Sequence, residues 1–164
     1  MRNNKSLLLT MCFPLCGIAF VILSLTPMRT HSSLSTAPDL LFCYIIAFLF
    51  RFPQNATFIS ITMISLFADF LWFRPLGLTT LTTFLASEFI RFIIKARERV
   101  GLMEEFSYVS LILVITIVFQ ELVKFFTLIP SLGVNQIIQY ILFTLLTYLV
   151  IILFIKVISR SRLV

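Results

Sequence analysis

The sequence predicts an all-α integral membrane protein of six transmembrane helices, with both termini in the cytoplasm. Three observations lead there. The 164-residue chain is 60% hydrophobic and 12% charged, with mean hydropathy +1.08, whereas soluble domains run near a quarter charged. At this length the chain is one domain, too small to hide that much apolar surface, so the excess faces lipid. Polar breaks divide it into six apolar stretches, about 7–26, 38–52, 56–73, 78–96, 106–127 and 134–156; crossing a hydrocarbon core of about 30 Å takes about 20 residues.

The cations complete the pattern. With six alternating crossings, Arg2, Lys5, Arg51, Arg91, Lys95, Arg97, Arg99, Lys156, Arg160 and Arg162 fall at inner ends, and Arg29, Arg74 and Lys124 at outer ones. Ten against three of the 13 Lys+Arg is the bias that sets membrane orientation. The net charge of +6 thus reports topology, and nucleic acid is not expected as a partner. Losing the short second span would put the basic C-terminus opposite the basic N-terminus, which argues for keeping six.

The first span, 7–26, competes with a signal peptide. It is longer than the roughly 7–15 apolar residues of such a leader and ends in Leu25-Thr26-Pro27-Met28-Arg29 rather than small residues, so a retained span is favoured. Residues 27–37 are polar and read as an external loop. Ser35 or Thr36 can cap the second helix, Pro38 suits its first turn, and Asp39 favours the positive end of its dipole. Taken as 38–52, that span reaches only about 22 Å, which requires snorkelling by Arg51 or local thinning. Pro53 stops it.

Arg74-Pro75-Leu76-Gly77 turns the chain between the third and fourth spans. Gly101 is placed to accept a left-handed conformation after the fourth. Glu104 and Glu105 suit the start of the fifth helix dipole, and Pro130–Gly133 turns into the sixth. Cys12, Cys16 and Cys43 read as buried thiols within apolar runs.

Charges inside apolar spans mark candidate sites. Asp69 falls about 7 Å outward of the third span's midpoint and Glu121 about 7 Å outward of the fifth's, with Lys124 its natural i,i+3 partner. Glu88 stands near the middle of the fourth, with Arg91 three residues on. These groups read first as internal ion pairs or partner contacts; a polar cavity or proton path is the sharper alternative.

An enzyme is not expected. His31 is the sole histidine, which excludes a multi-His metal site and disfavours a Ser-His-Asp triad. Asp69 and Glu88 could pair as protease carboxylates, but the Gly-rich surroundings such a pair needs are missing. With four glycines there is no phosphate loop and no GxxxG seam. No cofactor or metal is implied.

Three features resemble the rod shape-determining protein MreD family. Pro38-Asp39-Leu40-Leu41 opens a short second span that ends in Arg51-Phe52-Pro53. Asp69 is followed by Pro75-Leu76-Gly77, matching an Asp-then-Leu-Gly turn between spans three and four. The chain is short with a basic C-terminus. Departures are Ser65, where a glycine one turn before the aspartate is expected, and Phe52, where a second basic residue is common.

The resemblance implies a multi-pass subunit of the bacterial inner membrane. It would bind an MreC-like single-span protein and, through it, work with the elongation transpeptidase and glycosyltransferase and an MreB-like filament. It also implies a fold similar to the six-span substrate-binding component of vitamin transporters. Candidate site residues are Asp39, Arg51, Asp69, Arg74, Pro75, Gly77, Glu88, Arg91, Glu121 and Lys124. The alternative is a small-molecule-binding transporter subunit using Asp39, Asp69 or Glu121 as anchors. Oligomeric state, a homodimer included, is left open.

Overall fold

The computed structural model describes residues 2–25, 38–72, 75–97, 101–127 and 133–161, with side-chain surroundings from Met11 in the first stretch to Leu153 in the last. The described residues form six helices and no strand: α1 (Arg2–Leu25), α2 (Leu40–Arg51), α3 (Phe58–Leu71), α4 (Leu78–Ala96), α5 (Leu102–Phe126) and α6 (Val134–Ser161).

The shortest helix is the centre. α2 packs on α1, α4 and α6, while contacts α1–α3, α3–α4, α4–α5 and α5–α6 run around it. Its sequence, LLFCYIIAFLFR, is apolar on all sides, and every residue from Leu41 to Leu49 is buried; a helix without a polar face belongs in an interior. Leu41, Ile45, Ile46 and Leu49 are essentially inaccessible, so emptying one of these positions would cost about 2–5 kcal/mol. Against α1, an aromatic stack runs Phe20–Tyr44–Phe13–Phe48–Phe52, with ring centroids 4.6–5.6 Å apart, and the Tyr44 hydroxyl donates to the Phe13 carbonyl at 3.0 Å. α1 also approaches α3 closely at Gly17, where an added Cβ would lie 2.9 Å from Ile64 Cδ1.

The outside is apolar. Every helix except α2 exposes large hydrophobic side chains among the described residues, including Leu15, Met63, Phe92, Ile115 and Leu146. Leu102–Phe126 and Val134–Leu153 are long and apolar enough to cross a membrane; the apolar parts of α1, α2 and α3 are shorter.

Several local expectations are corrected. Helix α2 starts at Leu40, and Asp39 is itself the cap, its side chain accepting from the Phe42 amide; Ser35 and Thr36 lie outside the described residues. α5 begins at Leu102, four residues earlier than the apolar run, because Arg51 and Tyr148 give Glu105 partners inside the bundle. Gly101 precedes that helix with φ −68°, an extended conformation rather than a left-handed one. Of the three thiols only Cys43 is buried; Cys12 and Cys16 stand on the exposed side of α1.

Candidate functional site

The α3–α4 connection is built around Asp69. Gly77 takes φ +91°, a left-handed conformation that costs a residue with Cβ about 1–2 kcal/mol. As the residue capping α4, Gly77 has no side chain to receive the free amides of the first turn. Asp69, eight residues upstream and fully buried, supplies that acceptor. Its Oδ2 receives the Gly77 amide at 3.0 Å, the Thr80 amide at 3.2 Å and the Thr80 hydroxyl at 3.0 Å.

A carboxylate at the positive end of a helix is stabilised by the dipole as well as by its donors. Asp69 is therefore a cap delivered from the neighbouring helix, clamping the hairpin at this end. Its Oδ1 is buried with no hydrogen-bond partner. Ser65, one turn earlier, is buried and turns its hydroxyl back to the Ile61 carbonyl at 2.7 Å, so it fits where a glycine was expected. Arg74 lies outside the described residues, and Pro75 is exposed.

Beside this turn, Met63, Leu66, Phe67, Phe70 and Leu76 line a shallow apolar groove of about 430 Å³. The three aromatic and leucine positions on α3 follow helical spacing, so they share its outer face. Phe70 and Leu76 are 68% and 71% exposed, leaving the groove open along one side.

The opposite end of the hairpin is fixed by Arg91. One guanidinium nitrogen donates to the Ala56 carbonyl in the turn before α3, and another meets Glu88 at 3.2 Å. Glu88 is far from Asp69: Thr80, which holds Asp69, stands eight residues away on α4, about 12 Å along the axis. The pairing of Asp69 with Glu88 considered for a protease is absent. Thr79, Thr82, Thr83 and Ser87 form a buried polar seam on α4, and Gln120 of α5 donates to the Thr82 hydroxyl at 3.1 Å.

A buried charge cluster that local sequence did not reveal joins α2, α5 and α6. Arg51 meets Glu105 at 2.9 Å, and the Tyr148 hydroxyl donates to the same carboxylate oxygen at 2.6 Å. Arg51 also donates to the Ala47 carbonyl at 3.1 Å. Glu105 lines up at helical spacing with Val109, Ile112 and Thr116, all buried, which is the signal that would have placed it inward.

At the other end of α2, Asp39 accepts from the Phe42 amide at 3.0 Å and from the Tyr140 hydroxyl at 3.2 Å. Nearby, the Cys43 thiol donates to the Thr144 carbonyl at 3.3 Å. Glu121 and Lys124 pair at 2.7 Å, as their spacing predicted.

The candidate residues therefore divide into five separate polar contacts rather than one pocket, the Glu121–Lys124 pair being one of them. Asp39 stands with Tyr140, Arg51 with Glu105, Asp69 with the Gly77 turn, and Arg91 with Glu88 and Ala56. Among the described residues no group of three or more His, Cys, Asp or Glu could hold a metal ion. The chain matches no protein-family model, no curated protein and no solved structure.

Proposed function

We propose that this chain is a six-span, non-enzymatic subunit of the bacterial inner membrane that binds an MreC-like single-span protein. On this reading it maintains rod shape by scaffolding lateral peptidoglycan synthesis. The observation that carries the proposal is the Asp69 turn. The segment with the most specific resemblance to the MreD family, Asp69 with Pro75-Leu76-Gly77, is a clamped helical hairpin with an open apolar groove at its side. Aromatic side chains fixed on a rigid helix suit reception of a partner's apolar helix.

The membrane part is supported by two helices of spanning length and apolarity and by apolar side chains facing outward. Cations at the ends of α2 and α4 add to it. A small-molecule carrier would need free polar anchors. Asp39 and Glu121 are engaged within the chain, and Asp69 is held at the turn through Oδ2, so the scaffold reading is preferred.

The test is co-purification of an MreC-like protein from detergent-solubilised membranes, with cell shape scored in parallel. Phe67→Ala with Phe70→Ala leaves the Asp69 clamp in place and should lower partner recovery about tenfold or more, a loss of about 1.4 kcal/mol or greater. Asp69→Ala should do the same by loosening the turn. Undiminished recovery and normal rods in both variants would remove the groove as the partner site.

A further inference from the structure

The part of the α3–α4 hairpin in which the two helices run side by side is shorter than a bilayer, and two rulers agree on its height. Helix α3 has 14 residues, Phe58–Leu71, about 21 Å of rise. On α4, the stretch from Leu78 to Arg91 also rises about 21 Å. The ends coincide because both are bonded: Asp69 holds Gly77 and Thr80 at one end, and Arg91 holds the Ala56 carbonyl at the other. A typical hydrocarbon core is about 30 Å, so the α3 side falls short by about 9 Å, while α4 continues past Arg91 to Ala96, 19 residues in all. Helices α5 and α6, with 25 and 28 residues, are not short.

A second observation marks where the shortfall lies. Leu81, Leu85, Glu88 and Phe92 form one outward stripe at helical spacing, and the Glu88 side chain is 47% exposed within it. In a flat bilayer this carboxylate would face acyl chains about 12 Å below the inner end of α4, where an ionised group is strongly disfavoured. Lys95 and Arg97, further along the same helix end, are exposed as well.

We infer that the outward α4 stripe of this hairpin, apart from the α3 groove given to a partner helix, is a lipid-binding surface for a locally thinned bilayer, where phospholipid headgroups and water of the cytoplasmic leaflet are drawn outward to the Glu88–Arg91 pair. Arg91, Lys95 and Arg97 supply the positive charge that meets lipid phosphates there, and a short apolar belt is accommodated by thinning. The inference rests on the six-span reading above, and it makes the hairpin a source of asymmetric membrane thickness around the protein.

The test is nitroxide depth measurement in phosphatidylglycerol-containing vesicles, by collision with oxygen and a nickel chelate. The full-length chain carries Cys12→Ala, Cys16→Ala and Cys43→Ser, with single labels at Phe89→Cys on α4 and Leu146→Cys midway along α6. A thinned face puts the label at position 89 about 3 Å from the inner phosphate level, and a flat bilayer puts it about 10 Å deep. A shallow label at 89 with a deep one at 146 supports the inference. Deep labels at both overturn it and leave the membrane reading standing. A label at 146 in water overturns the membrane reading and this inference together, and a label at 89 shielded from both collision agents overturns the lipid assignment in favour of a protein neighbour.

The unmodified chain gives an independent readout. Trp72, the single tryptophan, follows the outer end of α3, so where the bilayer thins to fit the hairpin its emission should hold steady as acyl chains lengthen from 14 to about 20 carbons. A progressive blue shift across that series, as acyl chains bury the ring, overturns the inference.

Discussion

The Arg51–Glu105–Tyr148 cluster yields a sharp energetic prediction. Glu105→Ala removes the acceptor of two buried donors, the Arg51 guanidinium at 2.9 Å and the Tyr148 hydroxyl at 2.6 Å. The side chains of Arg51 and Glu105 are 18% and 7% exposed, so neither has ready access to water. Removing one member of such a pair costs about 3–5 kcal/mol, much of it from the charge left behind. Arg51→Ala should fall in the same range, because it strands the carboxylate instead.

If the two groups act as a pair, the double variant costs little more than either single one, and the coupling is about 2 kcal/mol or larger. Unfolding in mixed micelles by sodium dodecyl sulfate, followed by circular dichroism and Trp72 emission, measures all four corners of the cycle. Additive losses, within about 0.5 kcal/mol, would refute the pairing. Tyr148→Phe keeps the ion pair and removes one hydrogen bond to a charged acceptor, so it should cost about 1.5–3 kcal/mol.

The other predictions concern backbone and packing. Gly77→Ala meets nothing within 4 Å, so its cost is the left-handed conformation alone, about 1–2 kcal/mol in the same unfolding assay. Gly17→Ala drives a methyl to 2.9 Å from Ile64 Cδ1 and should cost about 1–3 kcal/mol. Adding Ile64→Val removes that methyl but leaves Cγ2 at 3.1 Å, so it should restore part of the loss, and losses that simply add, within about 0.5 kcal/mol, would show that the approach of α1 to α3 is not the cause.

The fold was legible where information is local. Glu88–Arg91 and Glu121–Lys124 are three residues apart and meet as helical spacing requires. Asp69 was conspicuous as a charge in an apolar run, but its role depends on a turn that brings the amides of α4 back beside it. Contacts between distant parts of the chain left only faint traces. Arg51 and Glu105 are 54 positions apart, and Asp39 and Tyr140 are 101 apart. No property of either residue alone names the other.

Helix α2 shows the same limit in reverse. Its shortness required snorkelling or thinning for it to count as a span, while its all-round apolarity is the mark of an interior position.

That interior position has a consequence for how the protein is made. The Tyr140 hydroxyl and Thr144 carbonyl that engage Asp39 and Cys43 belong to α6, which leaves the ribosome about a hundred residues after α2. Until then the central helix has α1 and later α4 to lean on, and its α6-facing side stays uncovered. The packing of the central helix is therefore completed only once α6 has been made, and truncations that remove Tyr140 and Thr144 should be degraded in the cell.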